Sequence, residues 1–64
     1  MKDIEIVVKE NEEAEIVIWC DGRPQLGTCD WVTHLKEKES GAYFLGHYDM
    51  TLEDAISDAK ERNL

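Results

Sequence analysis

Two cysteines and two histidines, Cys20, Cys29, His34 and His47, are the side chains of this sequence best suited to hold a metal or to carry covalent chemistry. Two thiolates with two imidazoles suit Zn²⁺, and a short chain gains from such a staple because its core is small. Compact zinc modules bring their ligands in pairs roughly two to five residues apart. Here only Cys29 and His34 lie near each other. A small structural zinc protein built on Cys20, Cys29, His34 and His47 is therefore the alternative reading, and the leading one carries no cofactor. A nucleophilic site can also be written, with Cys29 as thiolate, His34 as base and Asp30 or Asp49 to orient it. Such sites are defined by geometry in space. The sequence has no Gly-x-Ser-x-Gly elbow and no glycine-rich phosphate loop. A non-enzymatic protein is expected.

The carboxylates point elsewhere. Fifteen Asp and Glu stand against seven Lys and Arg, a formal charge of −8 over 64 residues. That balance opposes direct nucleic-acid binding, which needs cations to displace phosphate counterions, and opposes adsorption on anionic lipid. It favours a basic protein surface, approached faster at low salt. Glu12 and Glu13 fall at a turn, and Glu53, Asp54 and Asp58 fall on a helix. Carboxylates spaced like the phosphates of a strand, about 3.4 Å apart, would let the chain mimic nucleic acid in a basic cleft. The plainer reading is a solvated face that keeps a small protein in solution. No basic stretch followed by an apolar run opens the sequence, and no apolar run is long enough to span a bilayer. The expectation is a cytoplasmic protein with reduced thiols, Cys20 packed as a small hydrophobe and Cys29 exposed in a loop.

Positioning these groups requires regular elements. Residues 3–9 and 14–20 alternate and are rich in β-branched side chains, which predicts an antiparallel hairpin across the polar stretch 10–13. Asp21-Gly22-Arg23-Pro24 and the residues up to Thr28 read as a break in regular structure. Residues 31–38 and 42–48 predict a second hairpin, with Gly41 available for positive φ in the turn. On the third strand Trp31, Thr33 and Leu35 share one face, and Val32, His34 and Lys36 the other. On the fourth, Tyr43, Leu45 and His47 alternate with Phe44, Gly46 and Tyr48, and Gly46 suggests a bulge or a close approach. Thr51 is an N-cap for a helix whose stripe is Leu52, Ala55, Ile56 and Ala59, with Asp58 and Arg62 four apart.

The result is one small α+β domain over residues 1–64: a four-stranded antiparallel sheet of two hairpins, with one C-terminal helix packed on one face. The face carrying Ile4, Ile6, Val8, Ile16 and Ile18 is the most aliphatic and is expected to receive the helix. The other face carries Val7, Val17 and Trp19. One helix cannot cover both faces, so Val17 and Trp19 are expected to form an apolar contact surface for a protein partner or for a second copy of the chain.

Residues 30–62 run Asp30-Trp31-Val32-Thr33, a turn, Tyr43-Phe44-Leu45-Gly46-His47-Tyr48, then Leu52-Glu53-Asp54-Ala55-Ile56 and Arg62. This half of the chain resembles small uncharacterised proteins of bacterial phages and mobile elements. The resemblance carries no catalytic residues. It implies an accessory protein that binds and blocks a host factor, including nucleic-acid-guided defence complexes; the acidic charge separately favours a basic, nucleic-acid-handling protein as partner.

Overall fold

The computed structural model describes residues 4–23 and 28–64, and of residues 21–23, 28 and 29 the backbone alone. Four strands, β1 (Ile6–Glu10), β2 (Ala14–Arg23), β3 (Thr28–Glu37) and β4 (Tyr43–Met50), precede one helix, α1 (Leu52–Glu61). The strands form one antiparallel sheet in the order β1-β2-β3-β4, so every neighbour in sequence is a neighbour in space. The expected α+β architecture, two hairpins and a C-terminal helix, is the one observed.

The central hairpin is longer than the sequence suggested. The β2–β3 ladder continues through Asp21↔Asp30 and Gly22↔Cys29 to Arg23↔Thr28. Gly22 and Cys29 therefore stand in paired backbone and not in an irregular loop. The Pro24 turn signal and the side chain of Cys29 lie outside the described residues. Cys20, expected as a free thiol, is disulfide-bonded. The longer ladder is the reason a strand position is available near it, since Cys20 pairs with Trp31, only two places along β3 from residue 29.

The helix packs where the aliphatic residues are. Ile16 and Ile18 meet Ala55 and Ala59, all essentially without solvent exposure, and Val8, Trp31, Leu35, Met50 and Ile56 close around them. Two alanines on the buried side let the helix axis approach the sheet closely while contributing little apolar area themselves. Ile4 and Ile6, assigned to the same face, are 71% and 41% exposed: Ile4 precedes β1 and Ile6 opens it, at the outer edge of the sheet.

Both helix ends are satisfied. Thr51 Oγ1 accepts from the Asp54 N–H at 3.1 Å, the cap anticipated from the sequence, and Glu53 and Asp54 lie at the positive end of the dipole. At the other end Lys9 of β1 donates through Nζ to the carbonyls of Lys60, at 2.8 Å, and Arg62. A cation there complements the exposed carbonyls of the last turn. Thr51→Ala is expected to cost about 1 kcal/mol, read as a lower urea midpoint with an unchanged m-value.

Candidate functional site

The sheet face away from the helix is covered by side chains of the sheet itself. Register sets Val17 opposite His34 and Trp19 opposite Val32. Val17 and Val32 are fully buried, and His34 is 7% exposed. Trp19 lies flat on His34, with centroids 4.6 Å apart and planes within 3°. Tyr43 stands edge-on to both rings, at 5.3 Å from Trp19 and 5.7 Å from His34. Tyr48 is edge-on to His34 at 5.3 Å, with its hydroxyl 3.0 Å from Nε2. Stacked and T-shaped pairs of this kind add to the area they bury. The layer continues to the β1 edge: Glu5 accepts from the Tyr43 hydroxyl at 2.9 Å and from Lys36 Nζ at 3.2 Å. The Glu5 hydrogen bond, working against desolvation, holds the Lys36 ammonium above its usual pKa.

This arrangement requires β4 to break its alternation. Leu45 and Asp49 have φ of 52° and 59°, and the β3–β4 register shifts twice. The break at Leu45 puts Tyr43, Gly46 and Tyr48 on the ring face and sends His47 to the helix face, whereas unbroken alternation would have grouped Tyr43 with His47. Gly46 is the close approach suspected from the sequence: a Cβ there would lie 2.3 Å from His34 Nε2 and 2.6 Å from the Tyr48 hydroxyl. Tyr48 is exposed and can swing aside, but His34 is buried and cannot.

On the helix face a second polar cluster joins three elements. The fully buried Thr33 donates through Oγ1 to Asp58 Oδ2 at 2.6 Å and accepts from Arg62 Nη2 at 2.9 Å. Asp58 also meets His47 Nδ1 at 2.9 Å and Arg62 Nε at 3.4 Å. Burial pushes the Asp58 carboxyl up, but the hydrogen bonds from Thr33, His47 and Arg62 together hold it below its ordinary value. The residue types are those of a hydrolytic triad, but the wiring is not. The threonine hydroxyl donates its hydrogen bond directly to the carboxylate, the His47 imidazole meets that same carboxylate, and solvent does not reach the threonine. The cluster is a clasp that holds α1 to β3 and β4.

The carboxylates gather at one end of the sheet. The β1–β2 and β3–β4 turns both lie there and are joined by the Lys38 N–H donating to the Glu13 carbonyl at 2.9 Å. Asn11 Oδ1 shapes the first turn by accepting from the N–H groups of Glu13 and Ala14, and Gly41, with φ of 75°, closes the second. Glu12, Glu13, Glu37 and Glu39 line an open cleft of about 290 Å³ with Lys38, whose ammonium is held by Glu10 at 3.0 Å.

The expected site residues thus divide. Glu12 and Glu13 converge with two glutamates from the other hairpin. Glu53 and Asp54 are exposed on the first turn of α1, but Asp58 belongs to the clasp. Val17 is fully buried and Trp19 is half-buried against His34, so the apolar contact surface expected there is shielded within the monomer. The cause is the ring layer, which does for this face what a second helix would have done. Nor do the candidate zinc ligands with described side chains meet: His34 and His47 lie on opposite faces of the sheet, and Cys20 is disulfide-bonded. Among the described residues no group of three or more His, Cys, Asp and Glu side chains could hold a metal ion. Sequence reading missed Glu5, Lys36, Tyr48 and Thr33 as parts of these clusters. The signals it did see, Gly46 and the Asp58/Arg62 spacing, mark the centres of two of them.

No family model matches the chain, and no curated protein or solved structure shows significant similarity to it.

Two outcomes follow from these geometries. Gly46→Ala is expected to lose about 1–3 kcal/mol by overpacking and to change Trp19 emission as His34 is displaced beneath it. Asp58 has a folded pKa below its unfolded value, so the stability it adds is complete above pH 3.8 and disappears as pH falls through the folded value. Asp58→Asn is expected to cost about 1–3 kcal/mol at neutral pH and to flatten the acid limb of the stability profile, both measured by urea titration across pH.

Proposed function

We propose that this protein is a non-enzymatic binding protein that docks onto a basic macromolecular surface through its acidic end. The observation that carries this reading is the convergence of Glu12, Glu13, Glu37 and Glu39 from two hairpins, with Lys38 already engaged by Glu10. Among the described residues no hydrogen bond or ion pair engages the side chains of these glutamates, so they are available to a basic partner. The convergence also sets them apart from a merely solubilising charge, which gains nothing from being collected at one end.

The resemblance of residues 30–62 to phage accessory proteins suggests the class of partner, a nucleic-acid-handling protein of the host, with the carboxylates taking the places of phosphates. Glu53 and Asp54 add a second acidic patch on α1. Val17 has no part in this contact, because it is buried in the monomer, and Trp19 is half-buried in its stack on His34.

Two charge-matched variants separate site from net charge. Glu12→Gln/Glu13→Gln/Glu39→Gln removes charge at the cleft, and Glu53→Gln/Asp54→Asn/Glu61→Gln removes the same amount from α1. With lysine oligomers as the probe, the first set is expected to weaken binding about tenfold more than the second, a difference of about 1.4 kcal/mol. Raising salt is expected to shrink the difference. Equal losses would reduce the acidic end to general electrostatics and overturn the proposal.

A further inference from the structure

Besides Leu52 and Leu64, the large apolar side chains that remain exposed among the described residues belong to the two outer strands or the chain just before β1. Ile4, Ile6 and Val7 are 71%, 41% and 42% exposed on the β1 side, and Phe44, Leu45 and Tyr48 are exposed on the β4 side. The two edges differ in backbone. β4 is interrupted by the positive φ of Leu45 and Asp49 and by two register shifts, which rotate its outward N–H and C=O groups out of line. Irregularities of that kind guard an edge against further pairing. β1 has one shift, between Val7 and Lys9, which sets Lys9 opposite Ile16, and Val8 packs against the helix-face core. Among the described residues no strand lies beyond β1. Alternate backbone groups along Ile6–Glu10 therefore face outward beside apolar side chains on both sides of the sheet, Ile6 on the helix face and Val7 on the ring face.

We infer that β1 accepts an extended, lysine- or arginine-bearing segment of a partner as a fifth, edge-added strand. Backbone pairing supplies the affinity and the side chains on alternate positions supply the selection. The charges around the edge choose a cationic occupant. Glu10 ends the strand and Glu5 precedes it, paired with Lys38 and Lys36, and Glu12 and Glu13 just beyond Glu10 carry the acid that no cation among the described residues offsets. The one cation within β1, Lys9, is drawn away onto the carbonyls of Lys60 and Arg62. An incoming strand therefore meets exposed Ile6 and Val7 at the start of β1 and the acidic Glu12–Glu13 turn beyond its other end. A second copy of this chain would bring the same carboxylates and another −8 to the contact, which opposes self-pairing. The inference deepens the reading of a basic partner and rests on it for the partner's charge, though not for the use of the edge.

The test uses the whole chain, isotope-labelled, and a synthetic peptide of alternating valine and lysine as long as β1. Binding at the edge is expected to slow amide exchange at alternate positions of Ile6–Glu10 by about tenfold or more, with Tyr43–Met50 unchanged. The same peptide with glutamate in place of lysine is expected to give no protection. Val7→Lys, at a position open enough to keep the fold, is expected to abolish the effect, with Ile6→Lys as a second variant should the first fold poorly. Protection confined to β4 or to the turns would overturn the inference, as would equal binding of the glutamate peptide. A peptide-free chain that sediments as a dimer with β1 already protected would overturn it in favour of self-association. The cleft-neutralised variant Glu12→Gln/Glu13→Gln/Glu39→Gln keeps the two proposals apart: β1 protection that survives it while lysine-oligomer binding proves indifferent to the cleft leaves the edge site standing and the acidic-end reading fallen.

Discussion

The hydroxyl of Thr33 and the carboxylate of Asp58 carry more of this fold than any other polar contact. The helix buries only two residues fully, Ala55 and Ala59, and so brings little apolar area to its own docking. What fixes its position is a clasp at each side of its C-terminal half. Thr33 donates to Asp58 and accepts from Arg62 in the buried layer, His47 of β4 closes on the same carboxylate, and Lys9 of β1 holds the last carbonyls. Removing one member would leave a buried partner without its hydrogen bond, which costs more than the bond itself contributes. The small helix residues and the polar clasp depend on each other: close approach brings Asp58 to Thr33, and the clasp keeps the alanines seated.

The opposite face solves a different problem. A four-stranded sheet with a single helix has one face without a covering layer. Here cross-strand rings form that layer, with Trp19 flat on His34, two tyrosines edge-on, and Glu5 and Lys36 closing the rim. Two breaks in β4 and the absence of a side chain at Gly46 make room for it. The same breaks disqualify β4 as a regular edge. Covering the face and guarding the β4 edge are thus one structural event, and β1 is left as the more regular of the two edges with exposed apolar side chains.

Charge follows topology in a similar way. Both short hairpin turns fall at one end because the sheet is a simple meander, so glutamates scattered between residues 12 and 39 become neighbours. Neither the clasp nor the ring layer uses them. An acidic end adjoining an apolar strand edge is a combination suited to an extended cationic segment, with electrostatics governing approach and backbone pairing governing fit.

Local chemistry in the sequence determined a good deal. Alternation marked the four strands but not the extent of the β2–β3 ladder, Gly41 marked the second turn, and Thr51 with its stripe marked the start and buried side of the helix. These features depend on neighbours a few positions away, which is why they are legible in a linear chain. The aliphatic face that receives the helix was legible for the same reason. The tertiary structure alone decided what became of Val17, Trp19, Asp58 and the two histidines. Val17 and Trp19 alternate onto a face whose exposure depends on rings contributed by β3 and β4. Asp58 is one more helix carboxylate until Thr33 and Arg62 close on it. His34 and His47 fall on opposite sides because the positive φ at Leu45 shifts the phase of β4, a backbone event with no signature in side-chain periodicity.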